Sequence, residues 1–182
     1  EKYSLAEDYI FYPAQFWAHK NHVYILQGLK ILNKNYGIRL DAVFTGGDGG
    51  NLKYVKKIAY DFGVLDQIKF IGFVEDKEIP YFYKDSIALV MPTYFGPTNI
   101  PPLEAFSLGV PVLYSDLQGM REQAEGAALF LDLNNPDSMA RHINKLMNDD
   151  EFKNSLINAG KNKIKESESY IRLDLIEGIC RD

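Results

Sequence analysis

Short apolar runs alternate along the chain with longer segments in which apolar residues recur at helical spacing. The runs that predict β-strands are residues 9–13, 39–45, 67–73, 86–92, 110–115 and 127–132. The segments that predict helices are roughly 21–37, 52–63, 77–84, 101–108, 118–125 and 137–148, followed by a wholly helical tail from residue 150. This alternation predicts an α/β domain, with a Rossmann-like, doubly wound, mainly parallel sheet of about six strands and helices on both faces.

The apolar character of the strands indicates where a ligand would bind. Several strands are apolar along their whole length, as expected when helices cover both faces of a parallel sheet. Such sheets bind ligands beyond the carboxyl ends of their strands, where loops meet helix N-termini. The loops that follow residues 13, 45, 73, 92 and 115 are therefore the expected places of function.

Composition and charge narrow the class of protein. The length of 182 residues predicts about one domain, and 46% hydrophobic residues are ample for a core. A net charge of −5 argues against a nucleic-acid groove, which needs a basic face. The single cysteine, Cys180, cannot form an internal disulfide, so a reducing, cytoplasmic compartment is expected. Residues 1–8 are polar and acidic, which predicts a linker in a longer chain and not a signal peptide.

The loop after the first strand carries a lysine in an unusual place. Lys20 stands immediately before a predicted helix, where the helix dipole disfavours positive charge. An anion such as phosphate at that helix N-terminus would explain the lysine. A solvated lysine beside core aromatics Phe16 and Trp17 is an equally open interpretation.

The next two loops give weaker signals. Residues 45–51 (TGGDGGN) fit neither the dinucleotide fingerprint nor a phosphate-binding P-loop. Gly46 and Gly47 could let a ligand approach closely, but a tight connection capped by Asp48 or Asn51 is favoured. After the third strand, residues 73–74 could stack on a base, although the aromatic residues nearby are more typical of core positions.

The stretch from 94 to 112 (YFGPTNIPPLEAFSLGVPV) is a stiff loop that leads into a helix. Pro101 and Pro102 suit the first helical positions, where missing N–H groups cost nothing. The N–H groups of residues 98–100 would suit a phosphate or sugar hydroxyls. Glu104 is either a first-turn acid favoured by the helix dipole or an acceptor for ribose hydroxyls, and the residues alone leave both open.

The segment PTYFGPTNIPPLEAFSLGVPVLYSD resembles the donor-binding segment of retaining GT-B glycosyltransferases of family four. Glu104 lies in the place of the second glutamate of that family's motif, and Ala105, Gly109, Pro111 and Val112 match its flanks. YPAQFWAHKNH, TGGDGG, IKFIGFV and SIALVMPTYFGP follow in the family's order and spacing. The resemblance covers about residues 9–165.

The resemblance implies the C-terminal, nucleotide-sugar-binding half of a two-domain hexosyltransferase that acts with retention and without a catalytic metal. It places Lys20 at the leaving diphosphate and Glu104 at the ribose. The donor-binding positions that it and the loops together suggest are Gln15, Lys20, Gly46, Gly47, Phe73, Val74, Thr98, Asn99, Ile100 and Glu104. Two positions depart from the family, because its first glutamate falls at Gly96 and its arginine at Gln15.

The resemblance also implies partners and a division of the chain. The expected donor is a GDP- or UDP-sugar, and a glycan or lipid-linked acceptor would bind an N-terminal domain, with peripheral membrane association of the full-length protein left open. Residues 9–169 would form the donor-binding domain, and residues 170–182 a helix that crosses toward the N-terminal domain. Synthesis of bacterial surface polysaccharide or lipopolysaccharide is the expected setting. The alternatives are a non-hydrolysing UDP-GlcNAc epimerase and a non-catalytic nucleotide-binding assembly module.

Overall fold

The computed structural model describes residues 3–96 and 99–179, with side chains up to residue 166. Its strands form one sheet in the order β3-β2-β1-β4-β5-β6, and every pairing is parallel. The strands are β1 (Tyr9–Pro13), β2 (Asp41–Thr45), β3 (Ile68–Gly72), β4 (Ala88–Met91), β5 (Val112–Ser115) and β6 (Leu129–Leu131).

Two layers of helices cover the sheet. The α-helices are α1 (His22–Tyr36), α2 (Leu52–Asp61), α3 (Ile79–Lys84), α4 (Ile100–Leu108), α5 (Gln118–Ala124), α6 (Asp137–Asn148) and α7 (Asp150–Ile179). Short 3₁₀ helices span Ala18–Lys20 and Leu65–Gln67. Helix α1 packs against α2 and α6, whereas α4 packs against α3 and α7. The predicted doubly wound α/β fold is confirmed, and the sheet is wholly parallel among the described residues.

The strands are shorter than the apolar runs that predicted them. Leu40 and Val110 are buried although they lie just before β2 and β5, because the core extends past the ends of the ladders. Apolar patterning reports burial, and burial continues into the loops that approach a strand. Helix ends are better marked: α1 stops at Gly37, whose φ of 67° ends the helix in the left-handed conformation.

The structure bears on two predicted divisions of the chain, the boundary at residues 169–170 and the linker over residues 1–8. Helix α7 runs without a break through residues 169–170, and its crossing toward another domain stays a prediction; residues 180–182 lie outside the described part. In the predicted linker, the Tyr3 ring lies 5.1 Å from the ring of Phe82, and Leu5 also packs against the core, so these two side chains pack on the domain. The strand order places β1 beside β4, and the connections after these two strands lead away in opposite directions. This is the switch point at which such sheets bind ligands.

Candidate functional site

The loops after β1 and β4 are joined to each other at the switch point. The His19 carbonyl accepts hydrogen bonds from the Thr93 hydroxyl (3.1 Å) and from the Tyr94 N–H (2.9 Å). The buried Ser115 hydroxyl in turn donates to the Thr93 carbonyl at 2.7 Å. These bonds hold the two loops in a fixed relation, so side chains that they carry are positioned before any ligand arrives.

A cleft of about 290 Å³ opens between these loops. Its lining residues are Pro13, Ala14, Gln15, Trp17, Lys20, Met91, Asn99, Ile100 and Pro101. Four of the predicted donor-binding residues therefore meet here: Gln15 and Lys20 from the first loop, and Asn99 and Ile100 from the start of α4. Their convergence follows from the parallel pairing of β1 with β4, which brings the carboxyl ends of both strands to one edge.

Lys20 is a partly buried cation in this cleft. It ends the 3₁₀ helix, and its carbonyl accepts a hydrogen bond of 2.9 Å from the Tyr12 hydroxyl. Among the described residues it forms no ion pair. Burial lowers the pKa of Lys20. An ammonium group that is partly desolvated and lacks a counter-charge gains from an anion, so the cleft is suited to phosphate.

The helix ends beside Lys20 favour the same ligand. The N-cap of α1 is Asn21, which makes no side-chain capping bond, and the first turn of α1 contains no acidic residue. The first N–H groups of a helix lack partners within it and carry partial positive charge. Helix α4 begins at Ile100 with the predicted prolines in its first turn, so its N-terminal dipole lies at the same edge of the sheet.

Glu104 lies close to this cleft but lines another cavity. It is the fifth residue of α4, and no acidic residue lies in the first turn, so the interpretation of Glu104 as a first-turn acid is wrong. Its carboxylate accepts a hydrogen bond of 2.8 Å from the Tyr83 hydroxyl, which also lies 3.4 Å from the Pro101 carbonyl. The second cavity, of about 260 Å³, is lined by Asp76, Ile79, Pro80, Tyr83, Glu104, Ser107 and Leu108. Because Pro101 lines the Lys20 cleft and contacts Tyr83, the two cavities are neighbours on one helix.

Tyr83 fixes the orientation of that carboxylate. Burial raises the pKa of the Tyr83 phenol, and the charge of Glu104 raises it further. The phenol therefore stays protonated and acts as the donor to Glu104. One oxygen of Glu104 is held in this way, while the carboxylate remains only partly buried and can accept further hydrogen bonds.

The glycine-rich loop packs against the loop after β1. Gly46 has a φ of 127°, and a Cβ there would lie 2.6 Å from the Ala14 carbonyl oxygen. The Gly47 carbonyl accepts a hydrogen bond of 2.9 Å from the Phe16 N–H, and Asp48 accepts one of 2.9 Å from Leu52, the first residue of α2. The loop thus forms a tight connection that supports the Lys20 cleft. Ligand binding by Gly46 and Gly47 stays a prediction.

Replacing Gly46 by alanine is expected to lower the free energy of unfolding by about 1–3 kcal/mol, because the new Cβ meets backbone in an unfavourable φ region. Gly47→Ala is the matched control, since a Cβ there meets nothing within 4 Å. Urea denaturation of both variants checks this. Equal denaturation midpoints for the two variants would show that the close approach of Gly46 to the Ala14 backbone does not affect stability.

The other predicted donor-binding positions are Phe73, Val74 and Thr98. Phe73, after β3, is 86% exposed, whereas Val74 is buried in the core. Neither residue lines the Lys20 cleft or the Glu104 cavity. Thr98 lies outside the described residues. A role for residues 73–74 in binding a base stays a prediction.

Two residues of the site were not predicted from the sequence. Phe16 is buried as expected for the core, but Trp17 is 45% exposed and lines the Lys20 cleft. The aromatic residues after the third predicted strand, Tyr83 among them, were expected only in the core, and Tyr83 is both buried and bonded to Glu104. No local pattern signals that bond, because the two residues lie 21 positions apart and meet through the packing of α3 on α4.

Gly96, at the place of the family's first glutamate, is tied to Asn99. The side-chain amide of Asn99 donates to the Gly96 backbone carbonyl (3.0 Å) and to the Tyr114 hydroxyl. The Tyr114 hydroxyl donates to the side-chain oxygen of Gln123 (3.0 Å), and the side-chain NH₂ of Gln123 donates to the backbone carbonyl of Asn99 (2.9 Å). A side chain at position 96 would overlap the Asn99 amide oxygen. The Asn99 side chain is therefore engaged within the protein and takes space that a residue larger than glycine at 96 would need.

Neither a metal site nor a membrane span is found in the described part of the chain. Within residues 3–96 and 99–179, no three His, Cys, Asp or Glu side chains are grouped as metal ligands would be. Independence from a catalytic metal stays a prediction. In the same part of the chain, no helix has the length and apolar character needed to span a bilayer.

Sequence comparison identifies the family. The family described as "Glycosyl transferases group 1" matches residues 3–163, and the chain belongs to it. Among curated proteins, O-antigen chain mannosyltransferase B of Escherichia coli is 28% identical over 154 residues, which are 84% of this chain and 40% of that protein. The chain spans about two fifths of the length of the first curated relatives that it matches.

Solved structures agree with the fold. The C-terminal domain of a group 1 glycosyl transferase (LpcC) from Francisella tularensis has a TM-score of 0.74 at 19% identity, over 87% of this chain and 85% of that one. Anabaena Alr3699/HepE, in complex with UDP and glucose, has a TM-score of 0.78 at 17% identity, over 97% of this chain and 49% of that one. The chain thus has the fold of the C-terminal domain of GT-B glycosyltransferases.

Proposed function

We propose that this chain is the donor-binding domain of a retaining hexosyltransferase and binds the diphosphate of a GDP- or UDP-sugar in the Lys20 cleft. The observation that carries the proposal is the partly buried Lys20 at the switch point, which has no ion-pair partner among the described residues and lies beside an N-terminus of α1 that no side chain caps. Membership of the glycosyl transferases group 1 family supports it. So does a structural neighbour that was solved with UDP and glucose.

In the proposed reaction, an acceptor hydroxyl oxygen bonds to the anomeric carbon and gives up its proton to the leaving diphosphate. The bond between that carbon and the β-phosphate oxygen breaks, and negative charge builds up on the diphosphate. The Lys20 ammonium would stabilise that charge, and the dipoles of α1 and α4 would add to its effect. Gln15, which lines the same cleft, would donate a neutral hydrogen bond where the family has an arginine. Lys20 would therefore supply most of the positive charge at the diphosphate.

The ribose would lie along α4 against Glu104. Pro101 lines the Lys20 cleft, and its carbonyl lies 3.4 Å from the hydroxyl of Tyr83, which lines the Glu104 cavity; a nucleoside attached to a diphosphate at Lys20 would extend toward Glu104. A carboxylate held by Tyr83 can accept bonds from two adjacent hydroxyls, which fits a ribose. The base would then point toward residues 73–74. A glycan or lipid-linked acceptor would bind a second domain of the full-length enzyme.

Replacing Glu104 by glutamine is expected to weaken the binding of GDP or UDP by about tenfold, because charge-assisted hydrogen bonds to the ribose are lost. Binding of inorganic pyrophosphate, which has no ribose, should stay unchanged. Ser107→Ala, in the same cavity, is the control. Isothermal titration calorimetry measures all of these affinities. A parallel loss of pyrophosphate binding would place Glu104 at the phosphates and contradict the proposed ribose contact.

The proposed biological setting is the synthesis of bacterial surface polysaccharide or lipopolysaccharide, by analogy with relatives named as O-antigen chain mannosyltransferases in Escherichia coli and Salmonella typhimurium.

The missing acid at Gly96 favours one other candidate function, that of a nucleotide-binding module without catalysis. A transfer assay of the full-length protein with a panel of nucleotide-sugars, followed by NMR of the product anomer, separates the two. Donor consumption with retained configuration supports the proposal. Nucleotide binding without transfer to any acceptor supports the module.

A further inference from the structure

A larger cavity, of about 480 Å³, adjoins the Lys20 cleft between the start of α4 and helix α5. Its lining residues are Tyr94, Phe95, Gly96, Asn99, Ile100, Leu103, Tyr114, Leu117, Gly119, Met120 and Gln123. We refer to it as the α4–α5 cavity. Asn99 and Ile100 line both this cavity and the Lys20 cleft, so a group attached to a diphosphate at Lys20 can reach it.

The α4–α5 cavity is uncharged and mainly apolar. None of its lining residues is acidic or basic, and seven have large apolar or aromatic side chains. Besides Tyr94, its polar side chains are Asn99, Tyr114 and Gln123, which are bonded in the ring described above, closed through the Asn99 backbone carbonyl. Their hydrogen-bonding groups are thus largely used within the protein. A ligand hydroxyl or carboxylate entering this cavity would find few hydrogen-bond partners there apart from the Tyr94 hydroxyl.

We propose that the α4–α5 cavity receives the transferred sugar and selects an uncharged sugar with an apolar substituent, such as the methyl group of a 6-deoxyhexose or of an N-acetyl group. This inference rests on the proposed function, because it takes the diphosphate at Lys20 as the anchor of the sugar. An apolar wall favours a methyl group over a hydroxyl through burial of apolar surface. Without a cation in the wall, the carboxylate of a uronic acid would be desolvated and unpaired.

Gly119 offers a way to fill the α4–α5 cavity without disturbing the core. It lies in α5, and a Cβ there meets nothing within 4 Å, at an ordinary φ. Leucine is also a better helix former than glycine, so Gly119→Leu should fold at least as well. The neighbouring Gln118 is exposed and lines no cavity described here, so Gln118→Leu adds the same bulk outside the cavity.

The test is calorimetric titration of the 182-residue chain with donors that differ only in the sugar. The comparisons are GDP-6-deoxymannose with GDP-mannose, and UDP-N-acetylglucosamine with UDP-glucose and UDP-glucuronate, with GDP and UDP alone as references. If the chain binds GDP, GDP-6-deoxymannose should bind about tenfold more tightly than GDP-mannose. If it binds UDP, UDP-N-acetylglucosamine should bind about tenfold more tightly than UDP-glucose, and UDP-glucuronate should bind most weakly. Gly119→Leu should abolish this preference and leave the affinity for GDP or UDP unchanged, whereas Gln118→Leu should keep it.

The outcomes separate the inference from the proposed function. Equal affinities within each comparison, preferred binding of UDP-glucuronate, or a preference that survives Gly119→Leu would overturn the sugar assignment while nucleotide binding stands. If neither GDP nor UDP binds the chain, the proposed function itself is contradicted.

Discussion

Lys20→Ala is expected to weaken the binding of GDP or UDP by about ten- to a hundredfold. A charge-assisted bond to phosphate is worth about 1.5–3 kcal/mol, and Lys20 lacks an acidic partner in the described structure, so its loss exposes no unpaired carboxylate. Isothermal titration calorimetry gives the affinity directly. Because burial lowers the pKa of Lys20, a bound diphosphate should raise that pKa.

Two further variants make the Lys20 result specific. Lys53→Ala removes an exposed lysine from α2 and should leave nucleotide affinity unchanged. Lys20→Arg keeps the charge but changes its geometry, so it should retain part of the affinity. An equal loss in Lys53→Ala would reduce the effect to general electrostatic attraction. If Lys20→Ala binds the nucleotide with wild-type affinity, the diphosphate does not bind in this cleft.

The second large effect is expected at His22, which lies at the start of α1. Its ring stacks on Phe16 with 4.4 Å between ring centroids, and Tyr12 and Phe44 lie around it. Its ring nitrogens make no hydrogen bond of normal geometry within the described structure, although the Ala14 carbonyl is close enough to favour the protonated form. Burial dominates and lowers the pKa of His22 to about 3, and the charge of Lys20 acts in the same direction.

This lowered pKa makes the stability of the domain sensitive to acid. Between the ordinary histidine pKa of about 6.5 and the folded value of about 3, the unfolded chain binds a proton that the folded chain does not. The free energy of unfolding must therefore fall as the pH falls through this window. At pH 4 the contribution from His22 alone is roughly 3 kcal/mol of lost stability.

His22→Phe is expected to remove that contribution while keeping an aromatic ring against Phe16. Urea denaturation at pH 4, 5, 6 and 7 should show a flatter dependence of stability on pH in the variant than in the wild type. His142→Gln is the control, because His142 bonds the Phe130 carbonyl at 3.0 Å and should give a smaller change. Identical pH profiles for wild type and His22→Phe would show that the buried imidazole is not the acid-sensitive group.

Much of the fold could be predicted because its signals are local. The apolar runs located the six strands of the described residues, and Gly37 marked the end of α1. The predicted bounds of α6, 137–148, match the structure at both ends. Parallel pairing followed from strands that are apolar on both faces. The order of the strands could not be deduced from these patterns, since it depends on how helices pack on the finished sheet.

The candidate site could be predicted only as far as its loops. Lys20 was identified from its place before a helix, and the parallel sheet brought Asn99 and Ile100 beside it. The bond from Tyr83 to Glu104 and the ring of Asn99, Tyr114 and Gln123 join separate elements. Such contacts arise from tertiary packing, which leaves no periodic trace in the sequence. They decide how the acid is oriented and how polar the α4–α5 cavity is.

The most direct test of the central claim is a crystal structure of this chain with GDP or UDP bound. We expect phosphate oxygens within hydrogen-bonding distance of the Lys20 ammonium and the ribose hydroxyls against the Glu104 carboxylate. A nucleotide bound at any other edge of the sheet, in contact with neither Lys20 nor Glu104, would show that the proposed donor site is wrong.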